Sequence, residues 1–349
     1  MAKEIILLVV VAAGSILILL MLLAYLVIRK VLENSRRKQI NEIKENIAQD
    51  VFLTLQDKRN ELVFTAESLL EKEALEELLT KYTEVLEGQQ EKESLRMLAA
   101  ANLTDYYRKN VTARKWSTRM NTLYHIESFH LEMLKDELIH LAEADSKRSK
   151  EEKIQIYRIL ASFQYDGIFS LINKQEFLAE KDFRSILTRL DKDIFASMLE
   201  QFDECVEELK LAIIDVMGVR KELEYIQFLE DVFNAYEGEL RLRALKAISN
   251  IGIVSSIDTY LPLCQSDIWQ ERMMAARLLG FVKGDTSLLL LKELLHDRSW
   301  WVRSQAAESI MKFKTGTIVL EDVLRHSTDP FARDMAWEWI NKGQIKGAN

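Results

Sequence analysis

Asp267-Ile-Trp269-Gln-Glu-Arg272-Met-Met-Ala275-Ala276 decides how this chain is read, because the pattern returns twice. It recurs as Asp297-Arg-Ser-Trp300-Trp301-Val-Arg303-Ser-Gln-Ala306-Ala307 and as Asp329-Pro330-Phe-Ala-Arg333-Asp-Met-Ala336. The arginines are 31 and 30 residues apart, and each is followed by alanine three positions later. An upstream copy places Ala247 in the alanine slot and Gly252 where the later unit has Gly280. Between copies run second apolar stretches, Ser287 to Leu295 and Ile318 to Leu324, so the unit is a helix–turn–helix of about 30 residues. Each part of the motif has a physical reason. An aspartate ahead of a helix accepts from its free amides, and Pro330 falls where a helix start tolerates proline. Paired alanines let neighbouring helices approach, with Leu278, Leu279 and Ile310 filling the seam. The Arg and Asp slots (Asp267, Arg272, Asp297, Arg303, Asp329 and Arg333) are placed to bond between adjacent units. One such unit cannot bury its apolar stripe, but a stack can.

At these residues the chain resembles the HEAT-repeat superfamily, specifically the short-unit type found in phycobilin lyases and many bacterial proteins, with its D-x-W-x-x-R-x-x-A-A pattern. The resemblance covers about 237–343. Weaker echoes lie upstream: Trp116-Ser-Thr-Arg119 repeats the Trp-x-x-Arg spacing, and Ala212 to Gly218 resembles the end of a first helix. The resemblance implies an all-α solenoid and no particular activity, since such architectures carry unrelated functions.

Composition agrees with helices. The 349 residues include 11 Gly and 2 Pro, where average usage gives about 24 and 17. Turn-rich sandwiches and barrels draw on those residues, so an all-β fold is excluded. Apolar residues make up 48% and charged ones 29%, which is not the balance of a disordered chain. The net charge of −8 disfavours a nucleic-acid ligand. The two cysteines, Cys205 and Cys264, are far apart and form no Cys-x-x-Cys pair.

Ile5 to Ile28 contains no charged residue. As a helix its 24 residues span roughly 36 Å, against a hydrocarbon core of about 30 Å. The run is too long, and its leader too weakly basic, for a cleaved signal peptide. It reads as a retained single-pass anchor. Arg29, Lys30, Arg36, Arg37 and Lys38 follow it, against Lys3 before it, and the positive-inside rule then puts residues 29–349 in the cytoplasm. The same five residues are candidates for the membrane surface, where each charge is worth about 1 kcal/mol beside anionic headgroups, and the competing expectation is a plain stop-transfer flank. Two sequons, beginning at Asn102 and Asn110, matter only if that topology is reversed.

Beyond the anchor, Ile40, Ile43, Ile47, Val51 and Leu55 recur at spacings of three and four, which predicts one amphipathic helix. No heptad seam is sustained. Between Glu61 and Glu93 stand ten Glu and three Lys with leucines among them, so an acidic helical hairpin or stalk is expected, broken at Gly88. The expected division is therefore anchor 1–30, stalk 31–93, helical region of degenerate repeats 94–236, and HEAT-like repeats with a C-terminal cap 237–349.

Catalytic signatures are missing from the sequence. There is no phosphate-binding GxxxxGK[ST] loop, no GxGxxG and no Gly-x-Ser-x-Gly. The five histidines form no His-Glu dipeptide, the pairing by which the HEAT-like deoxyhypusine hydroxylase binds iron, so no metal and no cofactor are expected. A binding role is. At about 100° per residue, Trp301 falls about 220° from Ala306, opposite the core and beside Gln305 and Glu308. Trp and Arg are enriched at interface hot spots, so Trp301, Gln305 and Glu308 are candidate contacts, with Trp339 a fourth. The competing expectation is that Trp301 packs on the preceding unit, and that Trp337 and Trp339 close the end of the stack. The function expected is a membrane-anchored cytoplasmic scaffold or accessory subunit, by analogy in a bacterial envelope or exopolysaccharide system. A signalling adaptor gripping a regulator is the alternative, and an enzyme with an unrecognised site a third.

Overall fold

The uncharged run and the amphipathic stretch after it belong to one helix, α1 (Ala2–Gln56). It is part of a computed structural model that describes residues 2–56, 64–144 and 148–346. Fifty-five residues of α-helix are about 82 Å long. Every side chain from Ala13 to Gln39 is exposed, and Ile40 is the first to be buried. The helix is long and apolar enough to cross a membrane. Its second half behaves as its spacing requires: Ile40, Ile47, Val51 and Leu55 are buried and Ile43 is half-buried.

The described residues form helices and the turns between them, without strands, and the chain divides into two compact units, 1–165 and 166–349. In the first unit, α2 (Leu69–Thr83) and α3 (Gln89–Asn110) pack on each other and on the inner half of α1. Ser68 starts α2 with a reciprocal cap: its hydroxyl accepts from the Glu71 amide at 3.1 Å, and the Glu71 carboxylate accepts from the Ser68 amide at 2.8 Å. Gly88 stands at the start of α3. Asn102, the first sequon residue, is buried. Its Oδ1 accepts from the Ala66 amide at 2.6 Å and its Nδ2 donates to the Leu98 carbonyl, so its side chain is committed to the fold. Next come α4 (Trp116–Ser128), α5 (Lys135–Glu143) and α6 (Lys150–Ser162), with α4 and α5 both packed on α6.

The second unit opens with α7 (Ile168–Ile172), α8 (Glu180–Leu187), α9 (Lys192–Leu199), α10 (Glu207–Arg220), α11 (Ile226–Ala235) and α12 (Gly238–Ile251). After two short 3-10 turns around Pro262 it continues with α13 (Trp269–Leu279), α14 (Asp285–Leu294), α15 (Trp300–Met311), α16 (Gly316–His326) and α17 (Pro330–Lys346). Helices α8, α10, α12, α13, α15 and α17 stack in that order, while α14 packs between α13 and α15 and α16 between α15 and α17. Two glycines set how closely the stack closes. Gly252 ends α12 at φ +80°, and a Cβ there would meet the Phe281 ring at 2.9 Å. A Cβ on Gly280 would meet Ser309 Oγ at 2.7 Å. Only hydrogen fits at either place.

Candidate interaction surface

The repeat motif builds its seam around Asp297. Its Oδ1 accepts from the Ser299 amide at 2.7 Å, at the start of α15. The same carboxylate takes a two-pronged ion pair from Arg272 of α13, with Nε to Oδ2 at 2.6 Å and Nη2 to Oδ1 at 2.9 Å. Arg272 then reaches back with Nη1 to the Ser266 carbonyl at 2.7 Å, tying the turn before its own helix. Burial by itself raises the Asp297 carboxyl, but the Arg272 and Ser299 hydrogen bonds outweigh it and hold the group below the usual carboxylate range.

The next seam differs. Arg303 also reaches back, with Nη1 to the Asp297 carbonyl at 2.7 Å, but its guanidinium lies 5.1 Å over the Phe331 ring and makes no ion pair with Asp329 among the described residues. Asp329 keeps its capping role, accepting from the Phe331 amide at 2.9 Å. The expected Arg–Asp link is therefore replaced by a cation–π contact, because a phenylalanine follows Pro330. Asp267 is exposed, and its neighbour Ser266 accepts from the Ile268 amide instead. Arg333, on the last helix of the stack, is exposed.

Above these seams the tryptophans gather. The Trp269 and Trp301 rings stack at 6.4 Å and 26°, and Trp300 meets Trp301 edge-on at 4.8 Å. Trp301 is nonetheless 58% exposed, so it both packs on the preceding unit and faces solvent. With Met273, Ser304 and Glu308 the cluster lines an open cavity of about 440 Å³. Gln305 departs from the wheel reading. It is buried, accepts from Arg277 Nε at 3.1 Å, and Arg277 continues to Asn250 Oδ1 on α12. The wheel considered only the core behind α15, whereas in a stack α13 also covers its flank. Trp339 is half-buried and donates to Ser304 Oγ at 3.4 Å, beside the cavity. Trp337 is 60% exposed and closes nothing.

Residues 257–339 match the family model for HEAT repeats. Within that stretch the stacked pairs from α13 onward are HEAT repeats. The match spans α13 to α17 and so contains the whole tryptophan cluster. A search of curated proteins finds no match to the chain.

The HEAT clamp has a counterpart in the first unit. Arg119 of Trp-x-x-Arg119 donates through Nη1 to the Ala113 carbonyl at 2.9 Å, six residues back, as Arg272 and Arg303 do. Its Nε and Nη2 grip Glu152 at 2.6 and 3.0 Å. Glu152 is fully buried at the first turn of α6 and was not distinguishable in sequence from its many exposed neighbours of the same type.

The basic residues after the apolar run divide by role. Arg36 pairs with Glu73 at 2.5 Å, and Arg37 and Lys44 both pair with Glu77, so these charges fasten α1 to α2. Burial raises the Glu77 carboxyl, but Lys44 and Arg37 bring it below its usual range. Lys38 lies 3.8 Å from Glu42 on the same helix. Arg29 and Lys30 are exposed and make no ion pair among the described residues. Elsewhere, Cys205 and Cys264 are buried, and burial pushes both thiols up to about 11, which keeps them protonated and poorly nucleophilic at neutral pH. His125 packs against both Tyr107 and Phe129, which also contact each other, and sits 3.3 Å from Glu76. His296 accepts or donates to Ser327 at 2.9 Å across two repeats. Among the described residues no group of three or more His, Cys, Asp or Glu is placed to hold a metal ion.

Proposed function

We propose that this protein is a scaffold anchored in a membrane by α1, whose HEAT repeats hold another protein on the cytoplasmic side. The observation that carries the reading is the Trp269–Trp300–Trp301 cluster. Its three rings are exposed and lie against one another, whereas the exposed Phe281, Leu289, Ile318 and Trp337 on the same repeats make no ring contact with the cluster. Rigid aromatic rings give large contact area at little entropic loss, which is why such clusters dominate interface energies. The charge asymmetry around the uncharged run supports the orientation. The absence of any signature for catalysis in the sequence favours gripping over turnover, and the accessory-subunit role in a bacterial envelope system is carried over by analogy alone.

The test is recovery of a partner with the full-length tagged chain from detergent-solubilised membranes. Trp301→Ala is expected to weaken capture by about 2 kcal/mol or more. Trp337→Ala, an exposed tryptophan outside the cluster, is expected to leave it unchanged. Equal capture by wild type and Trp301→Ala would remove the cluster from the interface.

A further inference from the structure

We propose that the cavity between the outer part of α1 and the α2–α3 pair binds one phospholipid whose headgroup carries both a phosphate and a primary ammonium, a lipid of the ethanolamine class. The proposal rests on α1 crossing a membrane. The cavity measures about 610 Å³ and follows one stripe of α1: Tyr25, Ile28 and Arg29, then Leu32 and Glu33, then Arg36. Across from it stand Glu73, Glu76, Glu77 and Tyr106.

Read along the helix, the stripe changes character where a bilayer does. Tyr25 and Ile28 belong to the uncharged run and are exposed, with Leu32 exposed one turn on, so acyl chains can lie against them. Arg29 is the first charge after that run, at the level of lipid phosphates. Glu33 follows four residues later, about 6 Å along the axis. That offset matches a headgroup in which two carbons separate phosphate from ammonium.

The ion pairs show which charges are open to a ligand. Arg36 is held by Glu73, Arg37 by Glu77, and Glu76 accepts from the Tyr107 hydroxyl at 2.6 Å. Arg29 and Glu33 also line the cavity and make no ion pair among the described residues, with each other or with α2. They offer one guanidinium and one carboxylate at the mouth. Three arginines against four glutamates give the lining a slight negative excess. A purely anionic headgroup is therefore disfavoured beyond Arg29, and a trimethylammonium cannot donate the N–H bonds that Glu33 accepts. Tyr106 at the floor stays protonated, since burial and then the Glu76 charge raise its phenol, and it remains a donor.

The experiment is native mass spectrometry of the full-length chain in detergent, offered equimolar phosphatidylethanolamine, phosphatidylglycerol and phosphatidylcholine with matched chains. Wild type is expected to keep one phosphatidylethanolamine about tenfold over either competitor, the equivalent of one charge-assisted hydrogen bond. Glu33→Gln is expected to bring phosphatidylethanolamine and phosphatidylglycerol near parity, and Arg29→Gln to cut retention of both. Neither side chain makes an ion pair in the fold, and unchanged far-UV circular dichroism verifies that both variants fold. Equal retention of the three lipids by wild type, or an unaltered preference in Glu33→Gln, overturns the site. Alkaline extraction of membranes separates the two layers of argument. A chain released at high pH sinks the membrane reading along with the site, whereas a chain that stays without lipid preference sinks the site alone.

Discussion

Arg119 in the first unit and Arg272 in the HEAT repeats make the same grip from different sequence. Each guanidinium ties a carbonyl six residues back and closes two prongs on a carboxylate from a later helix. In the HEAT unit that carboxylate is Asp297, 25 residues on and just ahead of α15. In the first unit it is Glu152, 33 residues on and inside the first turn of α6, where Ser149 does the capping. A second arginine, Arg148, also reaches Glu152 at 3.2 Å, whereas no second side chain joins Arg272 at Asp297 among the described ion pairs. The difference teaches that a repeat seam is defined by where charge sits at a helix start, not by which residue supplies it. Redundancy then decides how fragile each seam is.

The largest effect follows from the less redundant seam. Arg272→Ala leaves the Asp297 carboxylate nearly buried and without its cation, and is expected to destabilise the C-terminal half by about 3–5 kcal/mol. Five of the six tryptophans lie in that half, so chemical denaturation of the detergent-solubilised chain followed by tryptophan fluorescence reads it directly. Arg119→Ala keeps Arg148 on Glu152, and the expected loss is about 1.5–3 kcal/mol, read by far-UV circular dichroism. A larger loss for Arg119→Ala than for Arg272→Ala would break the comparison.

Close approach is a second contrast. Residues 89–165 contain no glycine, while the HEAT stack depends on Gly280 against Ser309. Gly280→Ala forces that contact apart and is expected to cost about 1–3 kcal/mol in the same fluorescence transition.

Acid separates the seams as well. The folded carboxyls of Asp297 and Glu152 are both held low, because their arginines and backbone amides outweigh the effect of burial. Unfolded, such groups titrate near about 3.9 and 4.3. Stability from each is thus complete at neutral pH, erodes below about pH 5 and disappears as pH falls through the folded values. Asp297→Asn is expected to flatten the acid limb of the fluorescence-detected transition and leave the far-UV limb of the first unit steep. Glu152→Gln is expected to do the reverse. The smallest expected effect on stability is that of Trp301→Ala, about 0.5–1.5 kcal/mol, the worth of a stacked aromatic pair at a largely exposed position.

The HEAT stack was legible because its signals are local and repeated. Asp297, Arg303 and Pro330 sit at fixed offsets from helix starts, and a period of about 30 residues makes them visible together. The amphipathic run from Ile40 to Leu55 was equally plain, and α1 buries the stripe that spacing selects. The burial of Gln305, which still lines the tryptophan cavity, was not legible because a single-helix wheel has no term for a flanking helix. Glu152 was invisible because a buried glutamate looks like its exposed neighbours until its arginine is found 33 residues away. Arg36 and Arg37 were candidates for the membrane surface, or a plain stop-transfer flank, from their place after the apolar run, and their ion pairs could not be read there. Their partners Glu73 and Glu77 lie some 40 residues further on, beyond the reach of any local pattern.

Helix α1 runs without a joint from the apolar segment into the core of the first unit. Ile40, the first side chain of α1 to be buried, stands only twelve positions past Ile28, about 18 Å along the axis. A span leaning by about 20° in its bilayer would swing that point sideways by about 6 Å. Under the proposed membrane anchoring the rod would be a lever rather than a leash, and bilayer thickness would steer where the body reaches.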